Sequence, residues 1–126
     1  MRYDDTTLDP PGPMVNVTVR PPGCAEPTWK TLGQLDTGAD VTLIPASVAD
    51  ELQLAPEEYH IIMAGYDNAE TERMAYFVDL EIAGHTLESV EVVAVPTDTV
   101  LVGRDVLNHF IVTLNGKTLT FELQDP

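Results

Sequence analysis

Hydrophobic and polar residues alternate over short stretches through most of the chain, with turn-forming residues between them. Val15, Val17 and Val19 alternate with Asn16, Thr18 and Arg20, a period of two that predicts a strand with one buried face. Pro21-Pro22-Gly23 forces a turn, and Thr28 to Leu35 returns as a second strand with Trp29 and Leu32 as its packing residues. Val41 to Ile44 is a third strand, stopped by Pro45. Ser47, with Asp50 three residues on, matches a helix N-terminal capping pattern and predicts a short helix to about Leu54 that buries Val48 and Leu52.

His60 to Ala64 predicts the next strand. Gly65 to Arg73 is polar and turn-rich, and Tyr76, Val78, Leu80 and Ile82 alternate beyond it, so the segment predicts a hairpin with a polar tip. Ala83-Gly84-His85-Thr86 is a turn and Leu87 to Val95 a further strand, rich in β-branched valine. Val100-Leu101-Val102 is continuously apolar, as a buried strand is, and Asp105 is placed to cap a short helix from Val106 to about Phe110. Ile111 to Leu114 and Thr118 to Leu123 flank Asn115-Gly116, a strong hairpin signal. The pattern is all-β with one or two short helices. Pro10-Pro11-Gly12-Pro13 marks residues 1–13 as a flexible N-terminal arm, leaving 14–126 as one domain.

A chain of 126 residues with 44% hydrophobic content is long enough to bury a core. No apolar run approaches the roughly 20 residues of a membrane helix, and Met1-Arg2-Tyr3-Asp4-Asp5 lacks the layout of a signal peptide. Cys24 is the single cysteine, which rules out an intrachain disulfide, and these features together set a cytoplasmic expectation. Charge narrows the partners. Six Lys and Arg stand against 21 Asp and Glu, a formal charge of −15 that repels nucleic acid and anionic membranes. The same charge opposes self-association. His60, His85 and His109 share no short-range ligand spacing, so no metal or cofactor is expected.

The candidate chemistry sits at Leu35-Asp36-Thr37-Gly38-Ala39-Asp40. Asp36 follows one strand and precedes another, on a tight loop that would hold a carboxylate rigidly. Taken alone, Asp-Thr-Gly reads as an ordinary turn, since Asp and Gly favour turns for local backbone reasons. The larger pattern resembles a known family. Residues 35–40 with Val41-Thr42-Leu43-Ile44-Pro45 resemble the active-site loop of retroviral-type aspartic proteases, the retropepsins, and Val100-Leu101-Val102-Gly103-Arg104-Asp105-Val106-Leu107 resembles their second signature. The resemblance covers about residues 14 to 123 and implies a retropepsin-like acid protease barrel, one half-barrel lobe per chain.

It also implies roles. Asp36, Thr37 and Gly38 would be catalytic, with Thr37 bonding across a dimer axis and Gly38 letting substrate backbone approach. Ala39 and Asp40 would bind substrate, Asp40 pairing with a supporting Arg104. The hairpin tip at Gly65, Tyr66 and Asp67 would close over the substrate as a flap.

Stoichiometry adds a constraint of its own. Peptide hydrolysis of this type needs two carboxylates sharing one proton, one acting as base and one as acid. This chain has one Asp-Thr-Gly, and Asp40, four residues on, is too far to serve. The reaction therefore needs two chains, each giving one Asp36. The expected function is a homodimeric aspartic endopeptidase acting on a peptide or protein substrate. The alternative is a catalytically silent module of the same fold used for dimerisation or peptide binding. The expected dimer contact is the C-terminal hairpin 111–123, with Leu119, Phe121 and Leu123 as its exposed apolar row, because the proline-rich arm before Met14 looks unfit for a strand.

Overall fold

The structure, a computed structural model, describes residues 1–64 and 69–125. Strand β1 (Tyr3–Asp4) pairs antiparallel with β2 (Gly12–Arg20), and β2 pairs with β3 (Trp29–Leu35). β4 (Thr42–Pro45) runs directly into α1 (Ala46–Glu51). β5 (His60–Ala64), β6 (Glu70–Ile82) and β7 (His85–Val95) follow as antiparallel neighbours, and β4 joins them by pairing parallel with β7. β8 (Val100–Val102) runs parallel to β3 and leads into α2 (Arg104–Leu107). β9 (Ile111–Asn115) and β10 (Thr120–Gln124) form a hairpin of their own.

A second pairing of β2, with β6, closes the strands into a barrel. Val17 stands opposite Ile82 there and Val19 opposite Leu80, all four essentially inaccessible to solvent. Val15, Val78, Val92, Val100 and Val102 complete the inward rows, so the alternation read from the sequence is the alternation of the barrel wall. α1 lays Val48 and Leu52 onto this core, as expected.

Register corrects one expected core residue. Leu35 points inward, and period two then sends Gly33 in and Leu32 out, leaving Leu32 41% exposed while Trp29 is half-buried against the core. Gly33 is required where it sits. A Cβ there would lie 2.7 Å from Val17 Cγ2 and 3.1 Å from Val102 Cγ2.

The helices start earlier than the capping signals place them. α1 begins at Ala46 with Pro45 as its N-cap, so Ser47 falls inside the helix and caps nothing. α2 begins at Arg104 with Gly103 as N-cap, because Leu107 N–H already bonds Gly103 O at 3.0 Å; Asp105, inside the helix, accepts from Thr42 and from Val106 N–H. Bonds from Asn108, His109 and Phe110 extend its turns to Phe110. The polar stretch expected as a hairpin tip also differs. Glu70 to Arg73 belong to β6, with Ala64 opposite Glu70 and Ile61 opposite Arg73. Here polar side chains line a strand because the ribbon it forms is wet on both faces.

The N-terminus is the largest correction. Residues 1–13, expected as an arm apart from the domain, lie against it. β1 pairs with Gly12 and Pro13, and Met1 to Tyr3 add a further edge to β10 through bonds of 2.8 to 3.0 Å with Leu119 and Phe121. Arg2 stands opposite Thr120, and the rings of Tyr3 and Phe121 are 6.0 Å apart. Pro10 and Pro11 do not prevent this because they fall between the paired segments, and Pro13 is accommodated within β2 opposite Tyr3.

The C-terminal hairpin also presents a different face. Phe121 and Leu123 are buried in the chain's own core at 1% and 8% exposure, so the apolar row of β10 cannot be an exposed contact. The hairpin's exposed apolar side chains are Ile111 and Leu114, on β9. Its loop spans Gly116 to Leu119 rather than two residues, with Asn115 Oδ1 accepting from Lys117 and Thr118 and Leu119 at φ +56°.

Candidate active site

The Asp36 loop exists because β8 parts two strands. It pairs parallel with β3, Leu35 beside Val102, and antiparallel with β4, Leu43 beside Leu101. The chain leaving β3 must therefore cross over β8 before it re-enters as β4, and Asp36 to Val41 make that crossing. Asp36 is half-buried, while Thr37, Gly38 and Asp40 are exposed.

Hydrogen bonds fix the loop from below and within. The Asp36 N–H donates to Val102 O at 2.9 Å, Arg104 N–H to Ala39 O at 2.8 Å, and Arg104 Nη1 to Thr37 O at 2.8 Å. Inside the loop, Asp36 Oδ1 accepts the Gly38 N–H at 2.9 Å, which orients the carboxyl. A Cβ on Gly38 would stand 3.1 Å from that same oxygen. Gly103 is tighter still, its missing Cβ falling 2.6 Å from Val41 O. The Gly-Arg step of the second motif is thus explained: glycine lets the two crossing segments touch, and arginine ties off the loop carbonyls.

A second layer holds the first. The Thr42 hydroxyl donates to Asp105 Oδ1 at 2.8 Å and accepts the Gly103 N–H at 3.1 Å, while the Thr42 N–H meets Asp105 Oδ2 at 3.2 Å. Thr42 is fully buried. Sequence reasoning missed this pair. A threonine in a β-branched run reads as an ordinary strand residue, and Asp105 reads as a cap. The available signal was one polar side chain in an otherwise apolar strand close to the candidate acid.

The structure thus gathers Asp36, Thr37, Gly38, Ala39 and Arg104 into one bonded unit, with Asp40 next along the chain. It does not join Asp40 to Arg104. That guanidinium is spent on Thr37 O, and Asp40 has no hydrogen bond or ion pair among the described residues. Gly65, Tyr66 and Asp67 lie outside the described residues. The hairpin that leads to them rises beside the loop, where Asp40 and Val41 share a cleft with Ile61 to Ala64. Its base is tied down by the Tyr59 hydroxyl, which donates to Glu91. That bond raises the Tyr59 pKa to about 12.

The crossed loop thus carries Asp-Thr-Gly and is tied to a Gly-Arg turn. The chain belongs to the aspartyl protease family, whose profile matches residues 30–106. Its fold is that of the retropepsin-like aspartic proteases. EIAV protease, solved with the inhibitor HBY-793, is 18% identical, with a TM-score of 0.58 over 83% of this chain and 90% of that one. A retropepsin-like aspartic protease from Rickettsia conorii is 14% identical, with a TM-score of 0.56 over 90% of this chain and 95% of that one. No curated protein sequence matches significantly.

Proposed function

We propose that two copies of this chain form an aspartic endopeptidase, in which one Asp36 carboxylate from each chain activates a water molecule. The observation that carries this is the Asp36 loop itself: a half-buried carboxylate, oriented by the Gly38 N–H and anchored to Val102 and Arg104. With one such loop per chain, the proton-sharing pair needs a second copy. One carboxylate then takes the proton of the attacking water while the other, protonated, supports the carbonyl oxygen. Thr37 faces solvent where a second loop would meet it, and Gly38 leaves room for substrate backbone. The β5–β6 hairpin serves as the flap.

The dimer forms through the C-terminal hairpin, and β9 is the strand that supports this. Ile111 and Leu114 are about half exposed, at 51% and 48%. Among the described residues, only β10 pairs with β9, so its other edge is open for a strand from the partner.

Asp36→Asn tests the mechanism, because its carboxamide still offers Gly38 N–H an oxygen but has no ionisable proton. Cleavage of a peptide library should fall about a thousand-fold, with folding and dimerisation unchanged. The wild-type rate should peak at an acidic pH, roughly 4 to 6, where a carboxylate pair is singly protonated. Equal cleavage by both proteins, or a rate still climbing at pH 8, would refute the assignment.

A further inference from the structure

The outer face of β2 carries a groove that the Asp36 loop does not use. Period two turns Met14, Asn16 and Thr18 outward, and β3 sets Leu32 opposite Asn16 and Lys30 opposite Thr18. Two adjoining hollows of about 480 and 440 Å³ lie over this surface and share Asn16, Thr18 and Leu32. Arg2, whose backbone neighbours are bonded to β10, walls one end beside Met14, and Lys30 stands at the other. Leu32 is exposed between them.

Charge distinguishes the groove. The chain has six Lys and Arg against 21 Asp and Glu, yet two of those cations border this one surface. The side chains of Arg2 and Lys30 have no hydrogen bond or ion pair among the described residues. Glu81 is the acidic residue in the wall, and Arg20 already holds it at 3.0 Å. Both β2 and β3 have strands on either side, so no backbone edge is open here and side chains must do the recognising.

We infer that this groove binds an extended, acidic segment of a protein partner, with an apolar residue midway between two acids. Geometry sets the spacing. Thr18 lies four residues from Met14, about 13 Å of strand, and an extended peptide covers that distance in the same number of residues. Acids at i and i+4 then meet Arg2 and Lys30, and the residue at i+2, on the same side of the peptide, lies on Leu32. Other occupants fit worse. A basic segment would set like charge against Arg2 and Lys30. A wholly apolar one would take both cations from water without a partner. Nucleic acid needs many phosphates neutralised, which two cations on so acidic a chain do not supply. A linear segment of a second copy does not match either: the acids four apart in this chain, Asp5 with Asp9 and Asp36 with Asp40, enclose Thr7 and Gly38. The formal charge of −15 does not forbid the contact, because 0.1 M salt screens charges beyond roughly 10 Å. The inference goes beyond the protease assignment and uses none of its residues.

Fluorescence anisotropy of labelled peptides tests it on the full chain in 0.1 M salt, with Asp36→Asn protein so that no peptide is consumed. The probes are Glu-Ser-Leu-Ser-Glu, Lys-Ser-Leu-Ser-Lys and Glu-Ser-Ser-Ser-Glu, each flanked by glycine and serine. The first should bind about ten-fold tighter than the second, since an exposed ion pair supplies up to about five-fold and two are formed. The third should bind several-fold more weakly than the first, having lost its contact with Leu32. Adding Lys30→Glu should erase the acidic preference, with thermal unfolding unchanged because Lys30 is exposed. A peptide with glutamate at one end and lysine at the other should then bind best in one of its two orders. Equal binding of the acidic and lysine peptides, or an acidic preference that survives Lys30→Glu, overturns the inference. Self-association lost on Lys30→Glu by sedimentation, with no acidic preference beforehand, also overturns it and gives the face to a second copy. Binding is read without cleavage, so failure here leaves the protease assignment standing, and an inactive wild type leaves the groove assignment standing.

Discussion

Thr42 and Asp105 hold the Asp36 loop without touching it. The Thr42 hydroxyl joins Asp105 to the Gly103 N–H, and Gly103 lies against Val41 and Ala39 of the loop. Thr42→Val keeps the shape but leaves the Gly103 N–H without its acceptor and takes one of three donors from Asp105, so it should cost about 1–3 kcal/mol in urea unfolding and lower kcat with it. Thr42→Ser keeps the hydroxyl and should cost about 1 kcal/mol, the price of one methyl group. A valine variant as stable and active as wild type would show that the brace carries nothing. That Asp36, Thr37, Gly38 and Arg104 come together was legible in the sequence because they lie in two short motifs. The Thr42–Asp105 bond was not, because it joins residues 63 positions apart and depends on how β8 separates β3 from β4. The expected Asp40–Arg104 pair failed for a related reason. Complementary charge does not say which oxygen a guanidinium will reach, and here the Thr37 carbonyl is the one it reaches.

At the level of elements, the strands were legible wherever one face is buried, since period two then names the inward residues. They were less so in the β5–β6 ribbon and at the termini. A wet ribbon shows no alternation, which hid Glu70 to Arg73 inside a strand. The N-terminal residues pair through backbone atoms, to which composition is blind. That pairing is followed by a turn in which Asp4 accepts from Thr6 and Thr7, the Thr7 hydroxyl foremost in holding its carboxyl well below the usual range. Its folded value is depressed, so whatever stability it adds is present above the ordinary carboxylate range and lost only as pH falls through the lower folded value. The turn stays charged across the proposed working range.

The hairpin yields two opposite outcomes. Phe121→Ala should cost about 3–5 kcal/mol because Phe121 is in the core, so a lost dimer there reports unfolding. Truncation after Asn115 fails for the same reason, removing Phe121 and Leu123 together. Ile111→Asp, opposite the exposed Gln124 on the outer face of the hairpin, should instead leave thermal unfolding of the monomer intact and abolish both dimer and activity. A dimeric, active Ile111→Asp protein by light scattering would move the interface elsewhere.

At the scale of the whole molecule, the chain brings a formal charge of −15 to every encounter with its twin. Association must overcome that repulsion, and salt screens it over roughly 10 Å at 0.1 M. Dimer affinity measured by sedimentation should therefore rise with ionic strength and with falling pH, and specific activity should fall on dilution. Affinity for the twin that weakens with salt would mean that the interface is held by ion pairs rather than by Ile111 and Leu114.

The claim beneath all of these is that each chain supplies half of a catalytic pair. Mixing wild type with inactive Asp36→Asn protein tests it most directly, after subunits have exchanged and with total wild-type chain held constant. Every mixed dimer contains a single Asp36 and should be inactive. Activity per wild-type chain is then expected to fall to about half in an equal mixture, and in proportion as the variant is raised further. Activity that stays constant as the variant is added would mean that one chain acts alone.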